Sequence, residues 1–87
     1  MSEGKVVLVT GSSRGLGRAM ALRFGSLGYR VAVHYRGSPD AAKAVADEIT
    51  SGGAEADVFG ADVSQEDLCV ELVKAVQARF GGLDVLV

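Results

Sequence analysis

The chain has one cysteine, one proline, one histidine and no tryptophan in 87 residues. A lone Cys69 excludes an internal disulfide and fits a reducing, cytoplasmic setting. No His/Cys/Asp/Glu cluster has metal-ligand spacing, so no metal is expected. Nine basic residues stand against eleven acidic ones, for a net charge of −2. There is no basic stripe, which argues against nucleic acid as a partner. No apolar run approaches the roughly 20 residues of a membrane span, so no membrane partner is expected. The polar opening Met1-Ser2-Glu3-Gly4-Lys5 lacks a signal-peptide pattern. A single proline leaves long segments free to be helix or strand.

Glycine is abundant instead: twelve residues, about twice the usual usage, imply frequent tight turns. Between the turns, apolar periodicity alternates. Lys5 to Val9 is a continuous apolar run, suited to a parallel strand covered on both faces. Leu16, Met20 and Phe24, with Ala19 and Leu27, predict a helix with one buried stripe, stopped at Gly28. Gly25, near its end, costs roughly 1 kcal/mol relative to alanine. Val31-Ala32-Val33 forms a second strand ending near Tyr35. Ser38-Pro39-Asp40 reads as a helix start, with Ala41, Ala42, Val45 and Ile49 inward and Gly52-Gly53 as the stop. Ala54 to Phe59 is a weaker strand whose Glu55 and Asp57 suit a sheet edge. Ser64-Gln65-Glu66-Asp67 resembles a capping box before a helix that buries Leu68, Leu72, Val73, Val76 and Phe80 and closes at Gly81-Gly82. Leu83 to Val87 begins a fourth strand. The order β-α-β-α-β-α-β implies a doubly wound α/β fold, a parallel sheet with helices on its faces.

The chemistry lies in Thr10-Gly11-Ser12-Ser13-Arg14-Gly15-Leu16-Gly17, between the first strand and the first helix. Gly11 allows a tight turn, Gly15 a close approach of backbone to a diphosphate, and Gly17 close packing of helix on strand. The helix N-terminus offers N–H groups and positive dipole character to phosphate, and Ser12 and Ser13 add hydroxyl donors. An ordinary Gly/Ser turn would not need the preceding strand and following helix that this mechanism requires. A phosphate-loop NTPase needs Lys and Ser or Thr after the last glycine. Arg18-Ala19 stands there, so that reading fails.

The spacing Gly-x-x-x-Gly-x-Gly after Thr10 resembles the short-chain dehydrogenase/reductase family. The resemblance covers nearly the whole chain, including Ala61-Asp62-Val63 and Phe80-Gly81-Gly82-Leu83-Asp84-Val85-Leu86-Val87. Within the family, Ser13 to Ala19 is most similar to the 3-oxoacyl-[acyl-carrier-protein] reductases of fatty acid biosynthesis, though sugar and acetoacetyl-CoA reductases share these features. The resemblance implies a Rossmann-type sheet of order 3-2-1-4.

Sites that prefer NAD usually carry an acid at the end of the second strand. Tyr35 stands there, followed by Arg36, and Arg14 lies inside the glycine turn. Two guanidinium groups and no carboxylate suit a 2′-phosphate, so the expected cofactor is NADP(H). The resemblance also places Asp62 and Val63 beside the adenine, although Asp62 could simply organise the turn before the third helix. His34 is expected to be a wall residue, and Cys69 a packing residue.

The family's Asn-Asn-Ala-Gly segment and its catalytic Ser, Tyr and Lys have no counterpart here. Neither Tyr29 nor Tyr35 has a lysine four residues on. Residues 1–87 are therefore expected to be the N-terminal dinucleotide-binding half of a Rossmann domain, inactive alone. The parent is expected to be a cytoplasmic, NADPH-dependent carbonyl reductase, a homo-oligomeric dimer or tetramer whose substrate is a small molecule or is linked to acyl carrier protein. The alternatives are a non-catalytic NADP(H)-binding module and a fragment that folds only with a completing partner chain.

Overall fold

Val6, Val7, Leu8 and Val9 are all buried and form β1 (Val6–Val9) in the computed structural model, which describes residues 4–87. Met1, Ser2 and Glu3, part of the polar opening read above, lie outside the described residues. A strand covered on both faces shows no polar alternation, which is why this run reads as continuously apolar. β2 (Arg30–Tyr35) and β4 (Val85–Leu86) flank β1, and β3 (Ala56–Gly60) lies outside β2. All pairings are parallel, in the order β3-β2-β1-β4. This is the Rossmann-type order expected from the sequence.

Between the strands run α1 (Gly15–Ser26), α2 (Pro39–Ser51) and α3 (Glu66–Phe80). Successive strand residues face opposite sides. Val7, Val9, Val31 and Val33 therefore meet Ala21 of α1 and Ala42, Val45, Ala46 and Ile49 of α2. Val6, Leu8 and Ala32 meet Leu72, Val76 and Phe80 of α3 on the other face. Fully burying a valine or leucine side chain contributes roughly 1.5–3 kcal/mol, so this central strip dominates the core.

The buried face of α1 departs from expectation. Leu16 is 77% and Leu27 47% exposed, while Ala21 and Gly25 are buried. Met20 and Phe24 pack only partly against the core. With Ala19 and Arg23 they line a shallow groove on the outer side of the helix. The reason is steric. A Cβ on Gly17 would meet the Gly11 carbonyl oxygen and stand 2.8 Å from its carbon. A Cβ on Gly25 would stand 2.8 Å from Ile49 Cγ2. The close approach puts the small residues Gly17, Ala21 and Gly25 inward, at i, i+4 and i+8, leaves Met20 and Phe24 at the margin of the core and leaves Leu16 and Leu27 exposed. Gly25 is thus a packing residue as well as a helix-weakening one.

Smaller differences concern element ends. Ser38 occupies the N-cap of α2 with Pro39 next, but its hydroxyl makes no capping bond. Ala41 of α2 is only half-buried, and Ala46 is buried in its place. Gln65, not Ser64, is the N-cap of α3, and no side chain caps it. Leu68 stays exposed on α3 and Val73 packs only partly. β4 is shorter than expected because Asp84 takes the preceding ladder position. Its carboxylate accepts the Val6 N–H at 2.8 Å, and its own N–H donates to Val6 O at 2.9 Å. β3 is an edge strand that starts at Ala56, and Arg79 of α3 holds Asp57 within it at 2.9 Å and Glu55 just before it at 3.2 Å.

Candidate functional site

Four parallel strands end on one edge of the sheet, and that edge collects the turn after β1, Tyr35-Arg36 after β2 and Asp62-Val63 after β3. Strands are added outward on one side of β1 as far as β3, and the chain then crosses to the other side for β4. This switch between β1 and β4 is the position where doubly wound sheets open a crevice. Gly11 has φ +62° and Gly15 φ +63°, and a Cβ added at either meets nothing within 4 Å. Both glycines therefore bare their backbone to open space, in a conformation that L side chains rarely adopt. Gly17 works differently: it lets α1 close onto the turn.

The start of α1 carries no neutralising group. Arg14 is its N-cap in extended conformation, with no capping side chain and no acid in the first turn. By contrast α2 has Asp40, and α3 has Glu66 and Asp67, in their first turns. The first bond of α1 runs from Arg18 N–H to Arg14 O at 3.3 Å. The amides of Gly15, Leu16 and Gly17 precede it and lack intrahelical acceptors. They leave partial positive charge at the mouth of the crevice. Ser13 is half-buried on the same turn, and Leu16 is exposed over it. This arrangement can bind an anion.

Ser12 is placed otherwise than expected. It is fully buried, and its hydroxyl accepts the His34 N–H at 2.9 Å and lies 3.4 Å from His34 O. Its own N–H donates to His34 O at 3.0 Å. A side chain already bonded to β2 has no hydroxyl to offer a phosphate. The amide of Gly11 is also engaged, donating to His34 Nδ1 at 2.9 Å. The anion-binding capacity of the turn therefore sits in the first turn of α1, past Gly11.

His34 is the residue that sequence reasoning undervalued. It is 2% exposed. Its Nε2–H donates to Ala61 O at 2.7 Å while Nδ1 accepts from Gly11. These partners define the neutral tautomer protonated at Nε2. One signal was available. A polar ring that continues the apolar run Val31-Ala32-Val33 must find hydrogen-bond partners if it is buried.

Arg36 and Asp62 meet directly, with Nη2 3.3 Å from Oδ2, the side chains 70% and 29% exposed. Asp62 also accepts from Ser64 Oγ at 2.6 Å and from Ser64 N–H at 3.0 Å. These bonds, the hydroxyl first and the amide second, hold its carboxyl below the ordinary carboxylate range, with help from the Arg36 charge. Asp62 thus organises the turn before α3. Val63 packs partly on the α3 side of the core. The Tyr35 ring lies over Gly60, where a Cβ would stand 2.6 Å from Tyr35 Cζ. Arg14 is exposed on the glycine turn and has no ion-pair partner among the described residues.

Cys69 is free and half-buried. Among the described residues no group of three His, Cys, Asp or Glu could hold a metal ion, and no helix is long and apolar enough to cross a membrane.

Residues 5–87 match the short chain dehydrogenase family. A 3-oxoacyl-[acyl-carrier-protein] reductase of Staphylococcus epidermidis is 48% identical over 83 residues, which are 95% of this chain and 34% of the relative. A short chain dehydrogenase from Burkholderia cenocepacia, solved in complex with NADP, superposes with TM-score 0.93 at 40% identity over 98% of this chain and 35% of its own. An NADH-dependent reductase of alginate metabolism superposes with TM-score 0.90 at 32% identity, over 98% of this chain and 35% of its own. The chain thus spans about a third of the length of the relatives it matches.

Proposed function

The chain belongs to the short chain dehydrogenase family, and from that premise we propose that it is the cofactor-binding part of an NADPH-dependent carbonyl reductase. The observation that carries the reading is the uncapped, acid-free start of α1 beside the open faces of Gly11 and Gly15. The residues suit the cofactor. The Gly15, Leu16 and Gly17 amides receive the diphosphate, with Ser13 beside them, while Ser12 braces the turn from behind. Arg14 and Arg36 take the 2′-phosphate, each guanidinium able to offer two parallel donors. Tyr35 holds the place at the end of β2 where an acid would select NAD. Asp62 and Val63 border the adenine.

When bound, NADPH supplies the hydride that reduces the carbonyl. No residue of this chain is assigned the proton donor. Residues 1–87 form the dinucleotide-binding half, and the donor and the substrate pocket belong to a longer protein. The S. epidermidis relative's name favours a 3-oxoacyl thioester on acyl carrier protein as the substrate, and a cytoplasmic homo-oligomer fits that role. The fold alone does not choose between the two nicotinamide cofactors, since one similar structure is of an NADH-dependent reductase. The choice of NADPH rests on Arg14, Arg36 and the missing carboxylate.

The test is a fluorescence titration of the natural full-length protein with NADPH and NADH, followed by turnover with 3-oxoacyl-acyl-carrier-protein. The expected result is tighter NADPH binding and NADPH oxidation that depends on the thioester. Equal affinity for both cofactors would remove the role given to the two arginines.

A further inference from the structure

We propose that His34 is a positioning residue that couples the two halves of the cofactor site, setting the glycine turn against the loop that carries Asp62. The proposal rests on the cofactor reading above and extends it.

The inference starts from what a buried imidazole must do. His34 lies at the carboxyl end of β2, and each ring nitrogen has one partner. Nδ1 accepts from Gly11 N–H at 2.9 Å, and Nε2–H donates to Ala61 O at 2.7 Å. Gly11 opens the phosphate-binding turn, and Ala61 directly precedes Asp62. The backbone of the same residue clasps Ser12, through its N–H to Ser12 Oγ at 2.9 Å and its carbonyl to Ser12 N–H at 3.0 Å. One residue thus spans from the end of β1 to the end of β3.

The parallel sheet does not supply this link. β1 and β3 are not neighbours, because β2 lies between them. Ladder bonds set the strands, but the turns beyond them are held by what bridges their ends. A rigid ring with an acceptor on one side and a donor on the other sets both the distance and the orientation. An aliphatic side chain would fill the space and leave the Gly11 amide and the Ala61 carbonyl without those partners.

Two near-isosteres separate the arms. His34→Asn keeps an oxygen near the Nδ1 position and loses the reach to Ala61. His34→Gln keeps an amide N–H near the Nε2 position and loses the acceptor for Gly11. Binding is measured for NADPH, which spans both halves, and for adenosine, which lacks the 2′-phosphate given to Arg14 of the glycine turn and so engages only the Asp62 half. Each variant is tested well below its own melting temperature. His34→Gln is expected to weaken NADPH about tenfold or more, while adenosine changes less than about twofold. His34→Asn is expected to weaken adenosine. A general loss of stability would weaken both ligands in both variants alike, and that result overturns the proposal. So does wild-type affinity throughout.

Hydrogen exchange of the Gly11 amide, read without cofactor, separates this claim from the one beneath it. Exchange must quicken in His34→Gln and remain slow in His34→Asn. If wild type binds neither ligand, the cofactor reading fails, and with it the coupling of two cofactor subsites. If wild type binds both ligands but Gly11 exchange is the same in both variants, the cofactor reading survives and the role of His34 is refuted.

Discussion

The guanidinium of Arg36 lies 3.3 Å from the carboxylate of Asp62, so two residues expected to hold different parts of one cofactor hold each other. Arg36 is largely exposed and Asp62 partly so, and such contacts are weak and screened by salt. A 2′-phosphate can therefore draw Arg36 away, while Ser64 keeps Asp62 in place through two further hydrogen bonds.

Cofactor selectivity follows from that pair. Arg36→Asp should weaken NADPH binding roughly ten- to a hundredfold, the scale of a lost hydrogen bond to a charged group, and spare NADH. The new carboxylate would face Asp62, and the two acids would repel a 2′-phosphate. Titration of wild type and variant with both cofactors checks this. Unchanged NADPH affinity would show that Arg36 is only a solvated loop residue.

Gly17→Ala should damage the turn itself. The methyl group would meet the backbone of the turn, at 2.8 Å from Gly11 C and 3.0 Å from Ser12 Cα. Backbone cannot swing aside as a side chain can. The expected cost is about 1–3 kcal/mol of stability, with NADPH affinity falling at least tenfold at temperatures where the variant is folded. Chemical denaturation and a binding titration read the two effects separately. A variant as stable as wild type would mean that α1 need not sit so close.

The α1–α2 contact has a different character. A methyl group on Gly25 would stand 2.8 Å from Ile49 Cγ2, which is a side-chain atom. Gly25→Ala should destabilise by about 1 kcal/mol or more despite alanine's better helix propensity. Trimming the neighbour with Ile49→Val should offset part of that loss in the double variant. A double-mutant cycle measures the coupling, and simple additivity would place the contact elsewhere.

The Asp62 carboxyl titrates below its ordinary value of 3.8, chiefly because Ser64 Oγ–H and then Ser64 N–H bond to its charged form. Its folded value is thus lower than its unfolded one. The associated stabilisation is fully present above about 3.8 and is lost as the pH falls through the lowered value. Ser64→Ala removes the larger cause. The Asp62 midpoint, followed by its side-chain carboxyl carbon shift in NMR, should rise toward 3.8. An unmoved midpoint would assign the shift to the Ser64 amide, with the Arg36 charge, instead.

Much of this architecture is legible in the order of residues because its causes are local. An unbroken apolar run can only be covered on both faces, and Val6–Val9 is. Left-handed glycines end helices, and Gly28 and Gly81 have positive φ just past α1 and α3. Strand-turn-helix with glycine at three fixed places specifies the turn after β1. Tertiary structure decided the rest. Periodicity marks Leu16, Met20, Phe24 and Leu27 as one apolar face of α1, but the close approach at Gly17 and Gly25 decides which face meets the sheet. The Ser12 hydroxyl turns to β2, and His34 reaches both Gly11 and Ala61. Those bonds join residues more than twenty positions apart in sequence, and such partners exist only once the strands lie side by side.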